Sequence, residues 1–370
     1  MRRQHSAPVL TATTYGRTLK EKLVRLWRST ALRRGSLLLL VLALLALPLP
    51  QFLAEDSDLV TNSLLFSFTQ MFMLITLTSN WNMIGGYTGY IDFGHAVFFG
   101  LGAYGTGILM SKAAWVFPPA LLAGALVAAI FAVLIGSATL RLKGPYFSIA
   151  MLGTFVAMRE IIRVVKPLTG GGSGLTLPPY LNRPLFYYIT LLLAIFAVAL
   201  SWAIRRTQFG ATLIAIREDE VGAEMRGINT TLHKITIFTV ASFLTGVVGG
   251  LWAYQNTFID PDVVFIPART VEMVMMAMLG GLGTVAGPVI GAALIYWLRD
   301  VVWANFLQFH LIVEGLLLIL IVLFVPEGIL GTFADPGSTT LGRAWSRFTG
   351  KPVVPATDAE EGGEEMEVSI

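Results

Sequence analysis

The chain contains no cysteine. That excludes disulfide staples, thiolate metal sites and a cysteine nucleophile. Charge is scarce as well. Only 13% of the residues are Asp, Glu, Lys or Arg, whereas a soluble domain carries about 25%. With 55% hydrophobic residues among 370 and a mean hydropathy of +0.71, so few charges cannot cover a water-facing surface. An ordinary soluble enzyme is excluded, as are a nucleic-acid-binding body and a wholly disordered chain. The histidines, His5, His95, His233 and His310, are too far apart for H-E-x-x-H or a similar metal motif. No G-x-x-x-x-G-K-[ST] phosphate loop occurs, because Gly170-Gly171-Gly172-Ser173-Gly174 lacks the lysine. The chain therefore does not hold ATP by that device. No set of nucleophile, base and orienting group emerges to support catalysis.

What is abundant is apolar run length. A membrane span needs roughly 20 apolar residues. Polar breaks leave about ten runs, at 36–53, 59–84, 91–110, 115–140, 146–165, 185–204, 235–256, 270–283, 285–298 and 311–325. The predicted architecture is an all-α polytopic membrane protein. It has a basic arm over 1–35, a membrane domain over 36–330 and a polar, acidic tail over 331–370. The runs at 270–283 and 285–298 are short, which fits a broken or re-entrant segment. Such backbone is tolerated only inside protein or beside a water-filled cavity.

Charge placement gives an orientation. The arm carries Arg2, Arg3, Arg17, Lys20, Lys22, Arg25, Arg28, Arg33 and Arg34, while the next loop, Ala54-Glu55-Asp56-Ser57-Asp58, has no basic residue. The positive-inside rule then places the N-terminus in the cytoplasm, and an even number of spans returns the C-terminus there. Arg163 and Lys166 run against this bias. The arm reads either as a topology signal or as an amphipathic helix on the inner leaflet, through Leu19, Leu23, Leu26 and Trp27. A cleaved signal fits less well, because the basic region is long and no A-x-A site follows. The tail, with Pro336, Pro352, Pro355 and an acidic run from Glu360 to Glu367, predicts disorder.

Within the runs, Gly100, Gly102, Gly105 and Gly107, and later Gly283, Gly287 and Gly291, read as close helix packing, against a neighbouring helix or a partner chain. The 170–174 glycine run reads as a tight external turn or as a break lining a pathway. Asp92 and His95 lie three apart, so one face can hold both. They form either a proton relay or a hydrogen-bonded pair at the mouth of a span. Arg269 and Glu272 suit an i,i+3 ion pair. Arg159 and Glu160 suit a polar cavity, and Glu314 an interface. The segment 205–234 is a long polar insertion between apolar runs. Ala211 to Arg226 has helix-forming composition, with apolar Leu213, Ile216, Val221 and Met225, and Gly227 supplies a stop. Its apolar face needs a groove on a second protein, or the membrane surface.

These residues fall in an order that resembles a known family. Gly86-Tyr87-Thr88-Gly89 is followed by Gly94-His95-Ala96-Val97-Phe98-Phe99-Gly100-Leu101-Gly102-Ala103-Tyr104. Then come Leu142-Lys143-Gly144-Pro145-Tyr146-Phe147, the 169–175 glycine run, and Ala215-Ile216-Arg217-Glu218-Asp219-Glu220 with Gly227-Ile228-Asn229. Gly280-Gly281-Leu282-Gly283-Thr284 and Pro326-Glu327-Gly328-Ile329-Leu330-Gly331 complete the series. From about Asn80 to Gly331 the chain resembles the permease subunits of ATP-binding-cassette importers for branched-chain amino acids, of the Liv M-subunit type. The chain departs from the wider importer pattern Glu-Ala-Ala-x-x-x-Gly, with Val221, Gly222 and Ala223 standing before Gly227. It also has Asp92 where relatives usually carry a small hydroxyl residue.

The resemblance implies an importer permease fold in a bacterial plasma membrane, forming half of a translocation pathway. It implies a second permease of the H-subunit type, two ATPase subunits that hold the ATP and magnesium, and an extracytoplasmic binding protein. The chain itself would need no cofactor, bind no nucleic acid and not be an enzyme. The family's coupling loop would correspond to Ala215, Ile216, Arg217, Glu218, Asp219, Glu220, Val221, Gly222, Ala223, Glu224, Met225, Arg226 and Gly227. Gly89, Asp92, His95, Gly171 and Ser173 are candidates for the pathway. Urea and amide importers have similar permeases and remain an alternative. An ion-coupled secondary transporter is the other, on the strength of Asp92, His95 and the glycine-broken spans.

Overall fold

A computed structural model of the chain describes residues 44–47, 62–179, 183–305, 315–316, 319 and 328–330. The chain divides into a short N-terminal unit, Met1–Leu65, and a main unit, Phe66–Ile370. In the first, the described residues are a helical turn at 44–47 and the start of α1. The expectations for the basic arm and the acidic tail lie outside the described residues, as do most of the runs at 36–53 and 311–325. The elements are α1 (Asn62–Thr88), α2 (Ala96–Lys112), α3 (Phe117–Thr139), α4 (Pro145–Val164), α5 (Lys166–Thr169), a 3-10 turn (Gly171–Ser173) and β1 (Leu175–Thr176). They continue as α6 (Arg183–Arg205), α7 (Gln208–Glu218), α8 (Glu220–Met225), α9 (Thr230–Asn256), β2 (Phe258–Ile259), α10 (Pro261–Val264), α11 (Pro267–Gly280) and α12 (Gly287–Asn305). Among the described residues, Phe117–Thr139, Arg183–Arg205, Thr230–Asn256 and Pro261–Gly280 are long and apolar enough to cross a membrane. The all-α, polytopic expectation is met.

Proline opens α3, α4, α10 and α11 in their first turns, where its missing N–H costs nothing. The centre of the main unit is α2 packed against α3 and α9. Small residues let these backbones approach. A methyl group on Gly102 would overlap the Gly246 carbonyl of α9, and one on Gly105 would lie 2.8 Å from the Gly124 Cα of α3. On α3, Ala120, Gly124, Ala128 and Ala132 face inward, while Leu122, Leu126, Ile130 and Leu134 face out. Small-in, large-out is the arrangement a lipid-facing helix adopts, since lipid is as apolar as leucine. Gly287 and Gly291 pack against Gly280, Gly281 and the Met276 carbonyl, so that motif joins α12 to α11 within this chain.

α9 has 27 residues and at 1.5 Å per residue is about 40 Å long, enough to traverse the roughly 30 Å hydrocarbon core. Its N-terminal end carries the 205–234 loop. At its C-terminal end β2 pairs antiparallel with β1, Leu175 opposite Ile259. The 205–234 loop and the β1–β2 pair therefore stand at opposite ends of a helix long enough to separate the two faces of a membrane.

Candidate functional site

The third apolar run does not begin as a helix. Residues 89–95 are non-helical, and α2 starts only at Ala96. The expected span at 91–110 is thus an irregular stretch followed by a 17-residue helix. The stretch survives because the protein satisfies its backbone. Trp81 Nε1 donates to the Asp92 carbonyl at 2.8 Å, and Ser148 Oγ donates to the Ile91 carbonyl at 2.6 Å. Asp92 Oδ1 accepts from the Gly94 N–H at 2.8 Å, and Thr270 Oγ1 accepts from the Ala96 N–H at 3.1 Å. The other Asp92 oxygen contacts His95 Nδ1 at 2.9 Å, and His95 Nε2 reaches Thr245 Oγ1 of α9 at 3.0 Å. Asp92 and His95 are both fully buried. They are hydrogen-bonded, as one of the two readings held, but sealed in protein rather than at a solvated mouth. Together they clasp an unwound segment to α9.

The 205–234 loop folds as two helices rather than the expected single one over 211–226. Asp219, at φ −155° and ψ 100°, is extended and separates α7 from α8. Leu213 and Ile216 are buried within this chain, whereas Val221 is 53% and Met225 86% exposed. The apolar residues of the loop thus divide between two tasks. Gly227 takes φ +83°, the left-handed conformation expected of a helix-stopping glycine. Its N–H bonds the Glu224 carbonyl, and Ile228 N–H bonds that of Ala223.

α8 is held from beneath by a charged cluster. Glu220 accepts from Lys234 Nζ at 2.6 Å and from the Tyr90 hydroxyl at 2.5 Å. Lys234, only 1% exposed, also donates to the Tyr90 oxygen at 2.9 Å. Burial raises the Glu220 carboxyl, but the hydrogen bonds from Lys234 and Tyr90 and the nearby Lys charges outweigh it, and Glu220 ends below its ordinary value. Thr230 Oγ1 donates to Glu224 at 3.0 Å. Arg217 of α7 donates to the Gly86 carbonyl at 2.9 Å and lies against Gly89 and Gly283. Asn82 completes the knot, donating to the Thr284 carbonyl at 2.9 Å and accepting from the Gly283 N–H at 2.8 Å. Phe147 packs on Tyr90 with ring centroids 5.3 Å apart. Four motifs scattered through the sequence, at 86–89, 142–147, 215–229 and 280–284, therefore meet at one membrane face.

Gly171 and Ser173 lie at the other face, so the five pathway candidates do not come together. The 170–174 run is a tight turn. Gly170, Gly171 and Gly174 have φ of +75°, +58° and +72°, and a methyl group on Gly174 would meet the Ile259 carbonyl at 2.5 Å. Gly171 is buried and Ser173 exposed. Nearby, Arg159 and Arg163 of α4 both pair with Asp262 of α10, and Arg163 also pairs with Glu160 at 3.2 Å. These residues tie two helices together rather than line a cavity. Glu272 does not pair with Arg269. Its partner is Arg299 of α12, at 3.1 Å. Sequence reading missed Tyr90, Lys234 and Thr245. Only Lys234 left a signal, as a lone cation at the start of an apolar run that needs a counter-charge.

The fold is that of a multi-pass, all-α membrane protein, and comparison with known proteins gives its family. Residues 63–325 match the model of the branched-chain amino acid transport system permease component, and the chain belongs to that family. It is similar to the high-affinity branched-chain amino acid transport system permease protein LivM of Salmonella typhimurium, 25% identical over 80% of this chain and 75% of the relative. The LivM protein of Escherichia coli is 24% identical over the same shares. The autoinducer 2 import system permease protein LsrC of Salmonella choleraesuis is 26% identical over 70% of this chain and 77% of the relative. No solved structure matches.

Proposed function

We propose that the chain is one permease of an ATP-driven importer for branched-chain amino acids, and that α7–α8 is the cytoplasmic element on which an ATPase subunit docks. The assembly would pair it with a second permease of the H-subunit type, two ATPases carrying ATP and magnesium, and an extracytoplasmic binding protein. Both termini would lie in the cytoplasm of a bacterial inner membrane.

The observation that carries this reading is the division of labour on α8. A docking helix must offer an apolar surface outward and be fixed rigidly inward. Val221 and Met225 supply the first, and the Glu220–Lys234–Tyr90 cluster supplies the second. Motion imposed on α8 by a closing pair of ATPases reaches Tyr90, then the 91–95 segment, then the Asp92–His95 clasp on α9. Two arrangements of the permease pair, biased by nucleotide, would open the pathway to alternate sides.

The test is reconstitution of the complex in proteoliposomes. Leucine uptake should require ATP, and a Val221→Glu/Met225→Glu variant should lose ATPase binding while its own fold persists. Uptake that continues without the ATPases and collapses with the proton gradient would establish the ion-coupled alternative instead. A calorimetric screen of the binding protein with leucine, isoleucine, valine, urea and short amides separates the solutes.

A further inference from the structure

Arg269 lies inside a candidate span, whereas Arg183 and Arg205 lie at the ends of theirs. It lies in the first turn of α11, inside the 261–280 stretch that is long and apolar enough to cross a membrane. Arg159 and Arg163 are neutralised by Asp262, Lys234 by Glu220 and Arg299 by Glu272. Arg269 forms no ion pair among the described residues. Its guanidinium carbon lies 3.9 Å from the Phe99 ring centroid and 5.1 Å from that of Trp252, and those rings pack at 5.6 Å. Aromatic faces hold a cation without supplying an acceptor. Nε is buried with no hydrogen-bond partner, and the side chain is partly exposed.

An arginine within a span is costly in lipid, and such residues as a rule face the protein interior or a water-filled cavity and mark substrate or ion pathways. The rings hold the face of the guanidinium and supply no acceptor to the N–H groups of its planar fork. That fork matches a carboxylate, two N–H groups to two oxygens. Glu272, the acid on α11, pairs with Arg299 and also lies within electrostatic reach of Arg269, so two arginines share one carboxylate. The local balance therefore favours an anion and disfavours an ammonium group.

From this geometry we infer that Arg269 is a substrate subsite within the membrane, receiving the α-carboxylate of the transported amino acid after the binding protein releases it. The inference rests on the amino-acid importer reading above. It assigns Phe99 and Trp252 the role of holding the guanidinium in place for a bidentate contact.

The experiment uses the full reconstituted complex with Arg269→Gln and Arg269→Lys. Leucine uptake, ATP hydrolysis stimulated by loaded binding protein, and assembly by gel filtration are measured together. The expected result is an at least tenfold loss of uptake in Arg269→Gln, with assembly and stimulated ATP hydrolysis retained. Arg269→Lys, which keeps the charge without the fork, should fall between. Leucine should also bind the wild-type complex directly in the absence of the binding protein, while leucinamide should not. Unchanged uptake in Arg269→Gln overturns the inference, and so does separation of the two permeases in both variants, which would make Arg269 an interface residue. A wild-type complex that shows no ATP-dependent leucine uptake defeats the underlying function instead.

Discussion

Lys234 is the most deeply buried cation of the charged cluster, and its environment sets the energetic stakes. Removing one partner of a buried pair leaves an uncompensated charge, which costs about 3–5 kcal/mol. Glu220→Ala should therefore destabilise the solubilised protein by roughly that amount in thermal unfolding. The double variant Glu220→Leu/Lys234→Met should recover most of the loss, since apolar replacement of a whole buried pair is often neutral. The pH dependence follows from the lowered Glu220 carboxyl. The folded state binds that proton less readily than the unfolded chain. The stabilisation is complete above the ordinary carboxylate range and disappears as pH falls through the folded value, below the usual 4.5. Unfolding measured from neutral to acid pH should show a shallower acid limb in Glu220→Gln than in the wild type. At this scale the sequence was partly legible. Asp92 and His95 announced themselves by spacing, but Thr245 stands 150 residues from His95, and a threonine inside an apolar helix carries no mark.

The helices were legible where apolar run length decides the outcome, and illegible where hydrogen bonding does. The run at 115–140 became α3 within a few residues. The run at 91–110 concealed an unwound start, because Ile91 and Phe93 are as apolar as any helical residue and the break is imposed by Trp81, Ser148 and Thr270. The split at Asp219 was hidden in the same way, since Ala211 to Arg226 reads as one helix by composition. Packing at this scale rests on glycine, and it can be tested by contrast. Gly102→Val would drive α2 off the Gly246 carbonyl, and folded protein recovered from membranes should drop severely. Gly153 of α4 has nothing within 4 Å of an added methyl group. Gly153→Ala should be accepted, with a gain of about 0.5–1 kcal/mol in thermal stability.

For the molecule as a whole, the absence of cysteine becomes an advantage. Single-cysteine variants carry no background, so each face can be mapped with a membrane-impermeant maleimide. Met225→Cys should label only in inside-out vesicles and Ser173→Cys only in right-side-out ones. Labelling of both from one side would contradict the α9 traverse, and the reverse pattern would invert the orientation drawn from the basic arm. The membrane class was legible from composition alone, and the family motifs were legible in order along the chain. Their convergence at one face was not, because it depends on how α1, α4, α9 and the 280–284 turn are brought together in space.

The clasp also has a consequence for how the protein is made. When α2 leaves the ribosome, Asp92 and His95 have each other, yet Thr245 and the rest of α9 do not exist. Elongation proceeds at about 5–20 residues per second, so the 150 residues between His95 and Thr245 represent roughly 8–30 s of synthesis. During that interval the unwound 89–95 segment has α1 through Trp81, and then α4 through Ser148, but not α9. Its last hydrogen-bond partners come only when α9 and α11 arrive. The nascent chain therefore carries an incompletely bonded span until α9, and after it Thr270 of α11, complete its contacts.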